Sequence, residues 1–454
     1  MEFRKRYKAY LRKDIEKIAE ERNFPQEVIE EIKLLSLVFP FKTNNYVMDE
    51  LIDWEYYKSD PTFLINFPQK EMLPPNVYNR LKDIYLKGNK EELFRYIHQI
   101  HFELNPHPAG QLQYNIPQFQ GEIIEGIQHK YRETALVFPI QGQTCHAYCT
   151  FCFRWPQFIK EKEWKMCLRN PDKLVDYLQM HQEVQDLLIT GGDPMIMQAN
   201  VLRRYIDPII EADIKHLKRI RIGSKTLSYW PYRYLSDKDH EDILDLFSEI
   251  VENKKHLAFM AHFNHPNELK TEAVKEAIKR ILKTGAVIRT QSPILKHIND
   301  SPEVWSEMWI KQVNLGMIPY YMFIARDTGA RHFFELPLFD AWKIYIKAYS
   351  SVSGLSRTVR GPVMSSLYGK IHVLGVNKLN NNEDVFVLRF IQARNPNWVG
   401  KPFFAKFNKQ ATWIDQLEPL FGDKFFFEKE KYLHAFEEDL EAAIVKDTVT
   451  EDET

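Results

Sequence analysis

The sequence predicts an α/β fold: a partial (β/α)6 barrel with a helical N-terminal wrap and a C-terminal extension. Three observations carry this reading. First, six short apolar, β-branched or aromatic runs are TALVFPI (134–140), DLLITGG (186–192), RIRIGS (219–224), HLAFMAHF (256–263), AVIRTQSPI (286–294) and IPYYMFIA (318–325). Their starts lie roughly 30–50 residues apart, room for one βα unit each. Their nearly continuous apolar character suits a parallel sheet covered on both faces. Second, helix-period segments lie between them, such as EDILDLFSEIVENKK and TEAVKEAIKRILKTG; the latter ends in Gly285, suited to a left-handed cap. Third, polar residues gather at the strand ends: Cys145 after the first, GGD after the second, GSK after the third and HFNHP after the fourth. In α/β barrels the chemistry sits on those loops.

Taken in order, residues 1–125 read as a mainly helical wrapping region. Residues 1 to 35 have an amphipathic helical pattern, and the prolines from Pro61 to Pro117 then break the chain into short helical stretches. The barrel core spans 126–375, and 376–454 forms an extension. Its aromatic segments WVGKPFFAKF and LFGDKFFFEKEKYLHAF have the character of surfaces that pack on the barrel or on a second subunit. The tail from Glu437 is acidic and short of apolar residues, so its last residues are expected to fray.

The 454 residues carry 61 Lys and Arg against 62 Asp and Glu, a formal net charge of −1. That balance argues against nucleic acid as a partner, because phosphate binding usually leaves a basic excess. The N-terminus is charged throughout and holds no signal-like apolar core. No run approaches the length of a transmembrane helix, so no membrane association and a cytoplasmic location are expected. Four cysteines are too few for a disulfide scaffold. Three of them, Cys145, Cys149 and Cys152, fall in one short loop, which points to a metal or cluster in a reducing compartment.

The loop GQTCHAYCTFCFRW holds a C-x3-C-x2-C pattern. Three thiolates can hold three irons of a [4Fe–4S] cluster and leave the fourth iron open to a small chelating molecule. Read from the residues alone, a Cys3His zinc site recruiting His146, or packing cysteines, stays open beside it. Cys167 reads as a structural thiol.

The spacing is the signature of radical S-adenosylmethionine enzymes, which the chain resembles, and further segments narrow the likeness. VFPFKTNNYVMDELIDW, TGGDPMIM, RIGSKT, HFNHPNE, QSPILKHIND and PYYMF, in that order, look like the lysine 2,3-aminomutase family over residues 35–375. The resemblance implies a radical-SAM-type barrel in which S-adenosylmethionine chelates the open iron and a reduced cluster cleaves it to a 5′-deoxyadenosyl radical. It implies an electron donor such as flavodoxin or ferredoxin, a small amino acid as substrate and pyridoxal phosphate as a further cofactor. The family's tendency to assemble leaves a homo-oligomer open.

The resemblance also implies roles. Gly191, Gly192 and Asp193 would contact the methionyl amino group of S-adenosylmethionine, although Asp193 also reads as an N-cap. Ser224, His262 and Gln291 would face the same ligand, while as residues they read equally as hydrogen-bonded polar groups inside a barrel. Arg154 would bind the substrate carboxylate, for which a guanidinium is suited; otherwise it is a surface ion-pair partner. Lys370 falls where the family forms its Schiff base with pyridoxal phosphate, but Ser365, Ser366, Leu367 and Tyr368 replace the glycines expected before it. Lysine aminomutases hold the distal ammonium with two aspartates; here those places fall at Ala325 and near Arg360. An ammonium facing Arg360 would be repelled, which points to an acidic amino acid rather than lysine. Two further readings compete: a radical S-adenosylmethionine enzyme without pyridoxal phosphate, and a non-catalytic iron–sulfur or zinc protein.

Overall fold

All six apolar runs form strands, and they do so in the expected order. The computed structural model describes residues 3–105, 114–119, 121–159, 164–380 and 382–429. Two small antiparallel pairs come first: β1 (Ala9–Leu11) with β2 (Lys42–Asn44), and β3 (Gln118–Phe119) with β4 (Glu122–Ile123). The remaining strands form one mixed sheet of eleven, with neighbours in sequence order. They are β5 (Ile127–Tyr131), β6 (Thr134–Val137), β7 (Asp186–Ile189), β8 (Arg219–Ser224), β9 (His256–His262), β10 (Val287–Ile294), β11 (Ile318–Ile324), β12 (Arg360–Ser365), β13 (Gly369–Lys378), β14 (Asp384–Ala393) and β15 (Pro402–Lys406). Strands β6 to β12 are parallel; β5 at one end and β13 to β15 at the other run antiparallel to their neighbours.

The sequence explains the layers. The centre of β9, Leu257–Ala261, is buried throughout, as a strand covered on both faces must be, whereas β10 alternates buried and half-buried positions. The helix Glu272–Lys283 buries Ala273, Val274, Ala277, Ile278 and Ile281, a stripe at helical spacing, and packs on β10. Thr271 caps its start by accepting from the Val274 amide, and Gly285, at φ +87°, follows its end as predicted. The helix Pro302–Asn314 starts the same way, with Ser301 as cap and proline in its first turn, and packs on β11.

The N-terminal region departs from one long helix. Residues Ile15–Arg22 and Gln26–Leu35 form two helices, divided at Asn23, whose left-handed backbone (φ 54°) and the following Phe24-Pro25 end the first. The aromatic C-terminal segments pack within the chain. β15 extends the sheet, and Phe427 lies against the rings of Phe390 and Phe403 at 5.2 and 5.5 Å. The sheet runs unbroken through residue 375, which lies inside β13. The tail from Glu437, expected to fray, lies outside the described residues. Among the described residues no helix is long and apolar enough to cross a membrane.

The sheet curls so that β5 meets the turn between β12 and β13. Lys130, on β5, donates to the carbonyl of Ser366 in the turn before β13, and Arg394 donates to the carbonyls of Leu367 (2.8 Å) and Tyr114 (2.7 Å). Residues from β5 to β13 therefore surround one interior space.

Candidate active site

That interior is a cavity of about 730 Å³, lined by Cys145, Cys149, Cys152, Arg154, Gly191, Gly192, Asp193, Ser224, His262, Gln291 and Lys370. Eleven residues named from sequence thus converge, although they come from six strands and their loops. Cys167 is absent from the lining, half-buried, and the backbone of Cys167 and Leu168 presses against Gly126. Arg360 is also absent from the lining. Its guanidinium lies on the rings of Tyr320 and Tyr321, at 4.2 and 4.5 Å, instead of entering the cavity. The substrate role expected of it is not what this placement offers.

The cysteine loop is held from outside by the N-terminal wrap. Asn44 donates to the carbonyls of His146 (3.2 Å) and Tyr229 (2.9 Å) while its Oδ1 accepts from the amides of Tyr46 and Val47. Tyr148 N donates to Lys42 O and Thr150 N to Ile65 O, both at 2.8 Å. These bonds explain why the VFPFKTNNYVMDELIDW segment accompanies the cysteines: it is their outer brace. All four cysteines are free thiols. Burial raises the three in the loop: Cys145 well above its usual range, helped by the Asp193 charge, Cys149 to about 12 and Cys152 to about 11.

The loop after β7 touches the cysteine loop closely. A Cβ on Gly192 would stand 2.6 Å from both N and O of Thr144, and one on Gly191 would stand 2.9 Å from Gly142 O. Only glycine lets these two loops meet. Asp193 lines the cavity too, but its carboxylate is engaged within the chain. Its carboxylate accepts from Met195 N (2.9 Å), Lys225 N (2.9 Å), Ser224 Oγ (3.0 Å) and Thr226 Oγ1 (3.2 Å). Burial raises its pKa, and those four donors oppose the rise. Asp193 is therefore the N-cap that ties β7 to β8, and Ser224 is one of its partners. His262 and Gln291 differ: their side-chain polar groups have no hydrogen-bond partner among the described residues, and both face the cavity. Burial holds His262 neutral, with the Lys225 charge acting in the same direction.

Lys370, on β13, is half-buried, and its Nζ lies 4.9 Å from the Tyr321 ring and 5.2 Å from that of Tyr131. Burial, then the charges of Arg221 and Arg360, lower its pKa to about 7. A desolvated lysine beside other cations is a nucleophilic amine near neutral pH. Arg154 is half-buried, its guanidinium over the Phe138 ring at 4.3 Å and its pKa lowered to about 10 by desolvation.

Sequence reading missed several cavity cations: Lys130, Arg221, Arg326 and Arg331. Arg326 stands beside Ala325, where an aspartate was expected, and pairs loosely with Asp327 at 3.6 Å. The atom in that pair is its buried Nε, which makes no closer hydrogen bond among the described residues. The Phe153 ring lies between Arg154 and Arg326, at 5.3 and 5.4 Å from the two guanidinium carbons. The adjacency of Arg326 to Ala325 was the available signal.

No family model matches the sequence. A putative L-lysine 2,3-aminomutase of Aquifex aeolicus is 31% identical over 399 residues, covering 88% of this chain and 93% of its own. The L-lysine 2,3-aminomutase of Haemophilus influenzae is 28% identical over 54% of this chain and 70% of its own. The glutamate 2,3-aminomutase of Clostridioides difficile is 26% identical over 46% of each chain. Among solved structures, SuiB of Streptococcus suis matches 68% of this chain and 59% of its own at 13% identity, with a TM-score of 0.35, too low to bear on the argument. Three loop cysteines and Lys370 share one cavity. Likeness along nearly the whole of both chains places the protein in the lysine 2,3-aminomutase family, radical S-adenosylmethionine isomerases, as a divergent member.

Proposed function

We propose that the protein is a radical S-adenosylmethionine aminomutase that moves an amino group between C2 and C3 of an amino acid other than lysine. The observation that carries this reading is that one cavity is lined by both the three loop cysteines and Lys370. The six parallel strands β6 to β11, with their helices, serve it as a partial (β/α)6 barrel, and the reducing cytoplasm suits its four free thiols.

The residues fit the cofactors that this reading requires. Three thiols face one cavity and the fourth cysteine lies apart, which suits a [4Fe–4S] cluster with one open iron. Gly191 and Gly192 leave backbone exposed to the cavity, and the unpartnered groups of His262 and Gln291 can hydrogen-bond S-adenosylmethionine there. Lys370, with a substantial uncharged fraction near neutral pH, suits pyridoxal phosphate. When bound, the cluster with S-adenosylmethionine supplies a hydrogen-abstracting radical, and pyridoxal phosphate supplies an imine that lets nitrogen migrate. The chain's own part is to hold the reacting atoms together and keep water out. Phe151, Phe153, Tyr321, Phe323 and Trp413 line the cavity for that purpose.

The charge of the lining supports a substrate with a carboxylate at its far end. Lys130, Arg154, Arg221 and Arg326 oppose Asp327 and Asp415, Asp193 being committed to its own donors and Arg331 to Glu335. A second ammonium would enter a site already rich in cations. Arg326, rather than Arg360, would meet the distal carboxylate, and Arg154 the α-carboxylate.

Borohydride trapping of pyridoxal phosphate on the anaerobic, cluster-loaded protein tests the reading. A phosphopyridoxyl adduct on Lys370, with 5′-deoxyadenosine formed from S-adenosylmethionine, is the expected result. An intact cluster without that adduct would support a radical enzyme lacking pyridoxal phosphate. Turnover of free L-lysine would overturn the substrate assignment.

A further inference from the structure

Tyr229 is held on every side. It ends the short helix Thr226–Tyr229 after β8, is buried, and borders the cavity beside Cys149. Its carbonyl accepts from Asn44 Nδ2 at 2.9 Å, so the N-terminal wrap fixes its backbone as it fixes the cysteine loop. The Lys225 ammonium lies 4.5 Å over its ring and donates to Glu268 Oε1 at 2.9 Å. Its hydroxyl sits between two groups. One is Cys149 Sγ at 3.2 Å; the other is Nδ2 of Asn66, at the end of the helix Pro61–Asn66, at 3.4 Å.

Donor and acceptor chemistry decides the direction of these bonds. Asn66 Nδ2 also lies 2.9 Å from the carbonyl of Thr62, which can only accept, so the amino end of the amide faces both partners. An amide NH₂ donates and does not accept, and the Tyr229 oxygen therefore accepts from Asn66. The single hydrogen of the hydroxyl is left for the sulfur. Among the described residues, Cys149 is the only loop cysteine whose sulfur meets a side-chain donor. A cation over a phenol ring is attracted to its electron density, and that polarisation makes the O–H a better donor.

We infer that Tyr229 is a positioning residue that, through Cys149, makes the group held by the three cysteines easier to reduce; the inference rests on the iron–sulfur reading proposed above. A hydrogen bond to a sulfur strengthens as the sulfur becomes more negative. One electron from an external one-electron reductant adds negative charge to a [4Fe–4S] cluster and its thiolates. The hydroxyl of Tyr229 thus favours the reduced form, hydrogen bonds to the sulfurs being one of the features that set cluster potentials. No proton moves, because the hydroxyl keeps its hydrogen in both states.

The test measures a potential. Tyr229→Phe, and a protein carrying a ring-fluorinated tyrosine at that position, are loaded anaerobically beside the unaltered protein, and iron, sulfide and melting temperature are compared. Dye-mediated redox titration, followed by the electron paramagnetic resonance of the reduced cluster, gives each midpoint. Tyr229→Phe is expected to have the lower midpoint. At the unaltered protein's midpoint its reduced-to-oxidised ratio should fall about three- to tenfold, tenfold being about 59 mV for one electron. The fluorinated phenol is the stronger donor, so its midpoint is expected to rise. An unmoved midpoint with the cluster intact overturns the role of Tyr229 and leaves the function proposed above standing. If Tyr229→Phe does not load, the fluorinated protein, which keeps both ring and hydroxyl, decides alone. If the unaltered protein takes up zinc instead, or shows no such resonance on reduction, the iron–sulfur reading falls and the role of Tyr229 falls with it.

Discussion

Lys370 Nζ lies 2.5 Å from Gln392 Oε1, its partner across the β13–β14 ladder. The bond fixes the amine in the cavity without neutralising it, because a carboxamide brings no charge. A desolvated ammonium near Arg221 and Arg360 is costly, so the pKa falls from 10.5 to about 7. The unfolded chain holds that proton up to about 10.5. Between pH 7 and 10.5 the unfolded state therefore binds more protons, and stability rises with pH through this window. Lys370→Met removes the effect. Its melting temperature should exceed that of the unaltered apoprotein most below pH 7, with the gap narrowing towards pH 10. Calorimetry across that range checks it, and a gap independent of pH would refute a depressed lysine.

Asp193 gives the sharpest contrast between ligand contact and scaffold. Four donors converge on its carboxylate, two of them backbone amides. Asp193→Ala would leave buried donors unpaired, at a cost of about 1–3 kcal/mol for each unsatisfied group. The apoprotein should lose about 2–4 kcal/mol by denaturant unfolding, allowing for partial relaxation. His262→Ala and Gln291→Ala, whose polar groups have no such partners, should leave the apoprotein's stability much less changed and weaken S-adenosylmethionine binding. Calorimetric titration of the loaded protein measures the second effect. Unchanged stability of Asp193→Ala would show that its hydrogen bonds do not hold the fold.

Much of this arrangement was legible because it is local. The strands announced themselves as apolar runs, the cysteines by their spacing, and the turn after β7 by GGD. Asp193 was readable both as a ligand contact and as a cap, and only its four partners decide. The cations of the cavity were not legible, because Lys130 on β5 and Arg326 after β11 look like any solvated charge until the sheet curls. Arg360 misled for the same reason. Its position in sequence suggested the cavity, but in the ladder it pairs with Tyr321 and its guanidinium lies on the rings of Tyr320 and Tyr321.

Gly192→Ala tests the contact between the two loops. The added methyl would stand 2.6 Å from Thr144 N and O, both backbone atoms, so the cysteine loop must move. Overpacking of this kind typically costs about 1–3 kcal/mol. Because Thr144 precedes Cys145, iron uptake on anaerobic reconstitution should fall several-fold, while a Gly354→Ala control, where the methyl meets open space, should load normally. Iron and sulfide analysis reads the outcome, and equal loading would show that the loop tolerates displacement.

Asn44 braces the same loop from the opposite side, and its role differs in kind. It is fully buried and joins two chain segments to the turn it starts: Nδ2 serves His146 O and Tyr229 O, and Oδ1 serves the amides of Tyr46 and Val47. Asn44→Ala deletes both sides at once and leaves the Tyr229 carbonyl and the Tyr46 and Val47 amides without partners, His146 O keeping the Tyr7 hydroxyl, a loss of about 2–4 kcal/mol. Asn44→Asp keeps Oδ1 but turns the Nδ2 side into a second acceptor facing two carbonyls, so it should be no better tolerated. The expected order of stability is unaltered protein, then Ala and Asp together well below it. Hydrogen exchange should show the loss of protection concentrated at Tyr46, Val47 and the loop amides of Tyr148 and Thr150. If Asn44→Asp matched the unaltered protein, the carbonyl contacts would contribute nothing, and the N-terminal wrap would cover the cysteine loop without bracing it.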